Sequence, residues 1–207
     1  MKINTIHIKN DGYVICRSGF YTAQDVLSKH SNYIFTPGIN KLVGEIDSGN
    51  WAISYLLSMY KYRPGNFVLS EPCQAIVNDE IISLKQLSEI SCYMDRRYPL
   101  FSAKTSVRKL IMKGLKHSQS NYSYEELRQL FDLDSQRVER PLSQVGNEVF
   151  RAMAAIGLAY GKEIYCFPWL SHMRFEYYNR NMTGVLEILA DLKKVAIVPV
   201  GAAPLEN

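Results

Sequence analysis

The chain has 207 residues, 47% of them hydrophobic and 21% charged, with a formal net charge of +4. That length fits one core-bearing domain, or one domain with a small inserted lobe, and the hydrophobic share excludes a disordered chain. The charge excess is mild, and no Lys/Arg run interleaved with aromatics points to nucleic acid.

In chain order, residues 3–20 alternate in polarity around Asn10-Asp11-Gly12, which predicts a hairpin. Short strands are expected at 33–35 and 39–43, around Pro37-Gly38. From Gly49 to Tyr60, the residues Trp51, Ile53, Leu56, Leu57 and Tyr60 recur at helical spacing, and Pro64-Gly65 stops that element. Strands follow near 66–69 and 74–77, with Asn78-Asp79 as a turn, and 89–94 suits a buried strand. Thr105 to Leu115 reads as a helix. A second helix runs from Tyr124 to Leu133, with Ser123 as N-cap and Glu126 completing a capping box. Gln144 to Tyr160 is expected to be a long helix, Glu163 to Phe167 a buried strand, 181–193 a helix, and Lys194 to Val200 a last buried strand. There are no internal repeats.

Cys16, Cys73, Cys92 and Cys166 are scattered, with no C-x-x-C pair and no histidine at metal-ligand spacing. Free thiols in a reducing compartment are expected, and no metal site. Met1 to Ile8 alternates like a strand instead of forming the apolar stretch of a signal peptide, and no run nears the ~18 apolar residues of a membrane span. A cytoplasmic protein is expected. The 14 tyrosines fit core-edge packing or an aromatic docking surface. His7, His30, His117 and His172 read as structural or solvated.

The most informative stretch is Phe35 to Ala52. It has the build of a strand, a phosphate loop and a helix start. A working loop reads G-x-x-x-x-G-K-[ST], in which the lysine reaches the β- and γ-phosphates and the hydroxyl holds Mg²⁺. Here Gly44 and Gly49 have that separation, and Glu45, Ile46, Asp47 and Ser48 lie between them. Asn50 stands at the lysine position and Trp51 at the hydroxyl position. Asn supplies no positive charge and Trp no oxygen ligand. Backbone amides at the helix start would still offer an anion site, but Glu45 and Asp47 add two negative charges beside it. The alternatives for the loop are retained phosphate binding or a plain turn. Asp47 is equally readable as a helix cap. Trp51 is either a plug of the vacated pocket or a core residue of the helix.

Continued along the chain, the sequence resembles the ATPase subunits of ABC transporters, the ATP-binding cassette family. Pro37 to Gly49 resembles the lead-in and phosphate loop, and Ile90 to Phe101 the strand and loop that carry the family's glutamine, here at Asp95 or Arg96. Ser106 to Ile111 resembles the start of the helical subdomain. The segment Pro141-Leu142-Ser143-Gln144-Val145-Gly146-Asn147-Glu148 resembles the LSGGQ signature, with Gln144 and Val145 in place of the paired glycines. Ile164 to Pro168 resembles the Walker B strand, with Cys166 for the aspartate and Phe167 for the catalytic glutamate. Val195 to Val200 resembles the strand before the switch histidine, which has no counterpart at Pro199, Val200 or Gly201.

The resemblance implies an α/β, P-loop NTPase-like ABC cassette with a mixed sheet. It also implies a single domain over 1–207 with a helical subdomain at about 102–148. Phosphoryl transfer depends on positioning and charge stabilisation, so loss of the lysine, metal ligands, base and histidine together predicts a pseudo-ATPase with no catalytic residues. No cofactor is expected, and ATP without Mg²⁺ coordination is the one nucleotide contact left open. The implied partners are another ABC cassette, in a homo- or heterodimer, and a membrane permease subunit at the inner face of the membrane. The competing readings are an ATP-binding transporter subunit completed by a partner, and a stand-alone scaffold or ligand-binding protein. Cys166, at an apolar strand end with no base nearby in sequence, reads as an inert thiol. Arg96-Arg97 reads as a solvated pair or an anion or carboxylate contact.

Overall fold

The computed structural model describes residues 2–12, 14–17, 24–27, 30–62, 67–69, 73–102 and 104–203. Four strands form an all-parallel sheet in the order β5-β11-β10-β9: β5 (Gly38–Val43), β11 (Val195–Val200), β10 (Ile164–Cys166) and β9 (Ser91–Tyr93). β9, β10 and β11 are buried throughout, as expected of parallel strands covered on both faces. The covering helices include α1 (Asn50–Met59), every residue of which is buried, and α5 (Val149–Ala159) and α6 (His172–Asp191).

Antiparallel pairing is segregated into two further sheets. One has the order β4-β1-β7-β8, from β1 (Ile6–Asn10), β4 (Ser31–Phe35), β7 (Cys73–Val77) and β8 (Glu80–Ile82). The other has the order β3-β2-β6, from β2 (Val14–Arg17), β3 (Gln24–Leu27) and β6 (Phe67–Leu69). The expected β1–β2 hairpin is therefore absent. Asn10 does turn the chain, its amide donating to Gly12 O at 3.0 Å. Both edges of β1 are already taken, by β4 and β7, so β2 pairs elsewhere.

Strands β3 and β8 and the short helix α2 (Leu84–Glu89), which is capped by a Ser83–Gln86 box, lie where no element was expected. The helical block follows with α3 (Val107–Ser118) and α4 (Tyr124–Leu130), and the Ser123–Glu126 capping box is present. Single 3₁₀ turns stand at Arg137–Glu139, Leu142–Gln144 and Gly146–Glu148. The long helix expected from Gln144 starts only at Val149. Gly146, at φ +60°, breaks the helical path before it. The last helix runs from His172, well before the expected 181. The Pro64-Gly65 stop lies outside the described residues. Among those residues no helix is long and apolar enough to cross a membrane.

Candidate functional site

β5 delivers the loop 44–49 at the carboxyl end of the parallel sheet, where ligands of open α/β folds bind. Gly44 N–H donates to Val200 O at 2.9 Å, which ties the loop's entry to the end of β11. The loop then closes on itself, with Ser48 N–H and Oγ–H both donating to Glu45 O, at 3.0 and 2.6 Å. Side chains occupy its interior. A methyl group built on Gly44 would lie 2.7 Å from Ser48 Oγ and 2.8 Å from Asn50 Nδ2. Gly49 has φ +86°, and a methyl group built on it would lie 3.0 Å from Val26 O, so a side chain there would meet both strain and backbone. Asp47 does not cap α1: the N-cap is Gly49, with no side-chain cap bond, and no acidic residue sits in the first turn. Glu45 and Asp47 are exposed, and Ile46 is half-buried.

Both tryptophans of the chain bond at this loop. The Trp51 indole N–H donates to the Tyr93 hydroxyl at 2.9 Å, with Trp51 only 8% exposed. Tyr55 packs edge-on to both rings, at 6.3 Å from Trp51 and 5.2 Å from Tyr93. This bond joins the first turn of α1 to the end of β9, so Trp51 is both a core residue and a polar tie. On the other side, the Trp169 indole N–H donates to Gly44 O at 3.0 Å. Sequence reasoning missed Tyr93, Tyr55 and Trp169. The one signal available was that Tyr93 and Trp169 each stand within three residues of a motif-like position.

β10 ends at Cys166, and both Cys166 and Phe167 are fully buried. The Phe167 ring lies 6.0 Å from that of Phe150 at the start of α5, and its carbonyl accepts from Ser54 Oγ–H at 2.6 Å. Burial pushes the Cys166 thiol up, against a weaker opposing pull from the Ser58 and Ser54 hydroxyls. Burial also pushes the Cys92 thiol up to about 12. Cys73, Cys92 and Cys166 are free, and the Cys16 side chain lies outside the described ones.

At the loop after β9, Arg97 makes a bidentate contact with Asp95, Nε and Nη2 each at 2.8 Å from a carboxylate oxygen. Burial alone would raise the Asp95 carboxyl, but the Arg97 hydrogen bonds and charge outweigh it and hold it below the usual carboxylate value. Arg96 is exposed. In the segment resembling the signature, Leu142 and Val145 turn into the core, while Ser143, Gln144 and Gly146 are at the surface. There a cavity of about 240 Å³ is lined by Arg137, Arg140, Gln144, Val145, Gly146 and Asn147. Among the described residues, no cluster of three or more His, Cys, Asp or Glu could hold a metal ion.

Solved structures share this arrangement. A protein from Pyrococcus furiosus described as an ABC transporter ATP-binding protein matches with a TM-score of 0.61 at 13% identity, over 99% of this chain and 94% of that one. The chain has the fold of an ABC ATP-binding cassette. A dimeric ATP-binding cassette in a post-hydrolysis state, bound to ADP and phosphate, matches with a TM-score of 0.59 at 12% identity, over 96% of this chain and 88% of that one. A cobalt transport ATP-binding protein matches with a TM-score of 0.59 at 14% identity, over 95% of this chain and 70% of that one. At such identities the likeness is one of fold. No protein-family model matches the sequence, and no curated protein does.

Proposed function

We propose that the chain is a non-catalytic ABC-type cassette, a structural or regulatory partner of an ABC transporter or of an active cassette. The observation that carries this reading is the Trp51–Tyr93 hydrogen bond. It occupies the junction of the helix start and the neighbouring strand end, where a phosphate-loop enzyme presents a metal-holding hydroxyl. The surrounding residues do not fit a Mg-nucleotide. Asn50 and Ser48 fill the loop, Cys166 and Phe167 are buried and offer no carboxylate, and Glu45 and Asp47 repel phosphate. A nucleotide would have to displace side chains and forgo both its lysine and its metal.

The function then lies in surfaces. The helical block at 102–148 is the side offered to a membrane permease, and the loop face is offered to a second cassette. The chain works in the cytoplasm against the inner face of a membrane, as one part of an assembly. The test is phosphate release from Mg-ATP by the purified chain, alone and with a second, intact cassette. The expected result is no release from the chain alone. Turnover that disappears when Phe167 or Asn50 is substituted would overturn the reading.

A further inference from the structure

Helix α3 has two unlike faces. Val107, Leu110, Ile111 and Gly114 are buried, and Gly114 packs on α5, where a methyl group built on it would lie 2.9 Å from Ala159 Cβ. On the opposite face Lys109, Met112, Lys113 and Lys116 recur at i, i+3, i+4 and i+7, and all four are exposed. At a rise of ~1.5 Å per residue they cover about 10 Å of the helix. Lys104 is exposed just ahead of it, and α3 itself carries no acidic residue.

The carboxylates of the helical block are committed elsewhere. Glu139 binds Arg108 at 2.9 Å, Glu125 binds Arg128 at 2.8 Å, Glu148 binds Arg137 at 2.9 Å and Asp132 binds Arg151 at 2.8 Å. Glu126 closes the capping box with Ser123, and Asp134 accepts from the N–H groups of Gln136 and Arg137. No other Asp or Glu lies within 102–148. Lys104, Lys109, Lys113 and Lys116 have no ion-pair or hydrogen-bond partner among the described residues. Four arginines, whose planar forks hold carboxylates in fixed geometry, are thus used internally. The outer face of α3 offers lysines, compact charges on flexible stems, around a Met112 that is 51% exposed.

We propose that this face of α3 docks on an anionic lipid bilayer, with Lys109, Lys113 and Lys116 at the charged headgroups and Met112 entering the interfacial layer between them. A bilayer presents many anions in no fixed arrangement. Lysine ammonium groups follow such a surface while their stems lie along its apolar part, whereas a folded acidic partner would call for the directional fork of arginine. Each basic residue close to an anionic membrane strengthens binding roughly fivefold, so the three together give about a hundredfold. That makes a reversible contact, one that reinforces a second anchor. The inference rests on the reading of the helical block as the side turned to a membrane, and it is independent of nucleotide chemistry.

The experiment is co-sedimentation of the full chain with vesicles of phosphatidylcholine and phosphatidylserine in equal parts, and with vesicles of phosphatidylcholine alone, at low and moderate salt. Binding to the anionic vesicles only, weakened by salt, is expected. Lys109→Gln/Lys113→Gln/Lys116→Gln should weaken it roughly a hundredfold. Met112→Gln should weaken it several-fold and leave the salt dependence unchanged. The charge-matched variant Lys2→Gln/Lys9→Gln/Lys85→Gln, at exposed lysines outside the helical block, should keep most of the binding. Circular dichroism of each variant should match the unsubstituted chain. Absence of binding to the anionic vesicles overturns the proposal, as does equal binding to the neutral ones or an equal loss in the charge-matched variant. Lysine-dependent binding to poly-glutamate without binding to vesicles also overturns it, and assigns the face to an acidic protein. None of these results bears on phosphate release, which tests the non-catalytic reading by itself.

Discussion

Replacing Trp51 with Ala removes a side chain that is 8% exposed, together with its hydrogen bond to Tyr93. Deleting a buried tryptophan costs about 3–5 kcal/mol through lost transfer energy and the cavity left behind. At this chain length about 1 kcal/mol corresponds to roughly 2–4 °C in Tm, so a fall of about 6–20 °C is expected. Tyr93→Phe isolates the polar tie. It leaves the buried indole N–H without its acceptor, at a cost of about 1–3 kcal/mol. The double variant Trp51→Phe/Tyr93→Phe removes both partners and should be less destabilised than the sum of the two single changes. The assay is urea and thermal unfolding followed by circular dichroism. The reasoning is refuted if Trp51→Ala costs less than about 1 kcal/mol, the level of an average substitution, or if Tyr93→Phe is neutral.

Other outcomes follow from the same geometry. In a Cys16→Ser background, the half-buried Cys73 should react with a thiol reagent at pH 8. Cys92, its thiol pushed up to about 12 by burial, and the equally buried Cys166 should react only on unfolding; fast modification of either in the native protein would contradict the packing. Gly114→Ala should destabilise by about 1–3 kcal/mol, measured by urea titration, because overpacking is costly and a methyl there would lie 2.9 Å from Ala159 Cβ and 2.5 Å from the Tyr160 ring. Asp95→Asn should cost under about 1 kcal/mol because its partner Arg97 is largely exposed. The folded Asp95 carboxyl is held low, so its contribution is complete above the ordinary aspartate value of about 4 and fades as pH falls below it. Acid titration of the stability difference between the two proteins checks that sign.

Most of the parallel sheet was legible because β10 and β11 are continuous apolar runs, and α4 because its start carries a Ser–Glu capping box. The β1–β2 hairpin was misread because a turn signal reports the turn and not which neighbour holds the strand edges. The start of α5 was placed too early because apolar spacing runs on through Gly146, whose φ of +60° ends the helical path. Of the site, the positions of Asn50 and Trp51 at the helix start and of Cys166 and Phe167 at the end of β10 were readable from the sequence. What fills the space was not readable. The Trp51–Tyr93 bond spans 42 residues and the Trp169–Gly44 bond 125, and no local pattern encodes such meetings. The Arg140 cavity was hidden for a different reason: its lining is close in sequence, but it arises where three short 3₁₀ turns with no apolar periodicity fold together.

A calorimetric titration of the purified chain with Mg-ATP tests the central claim most directly. The account predicts no saturable heat at millimolar nucleotide, because Trp51, Ser48 and Asn50 occupy the loop and its helix start. Saturable binding of Mg-ATP would contradict it.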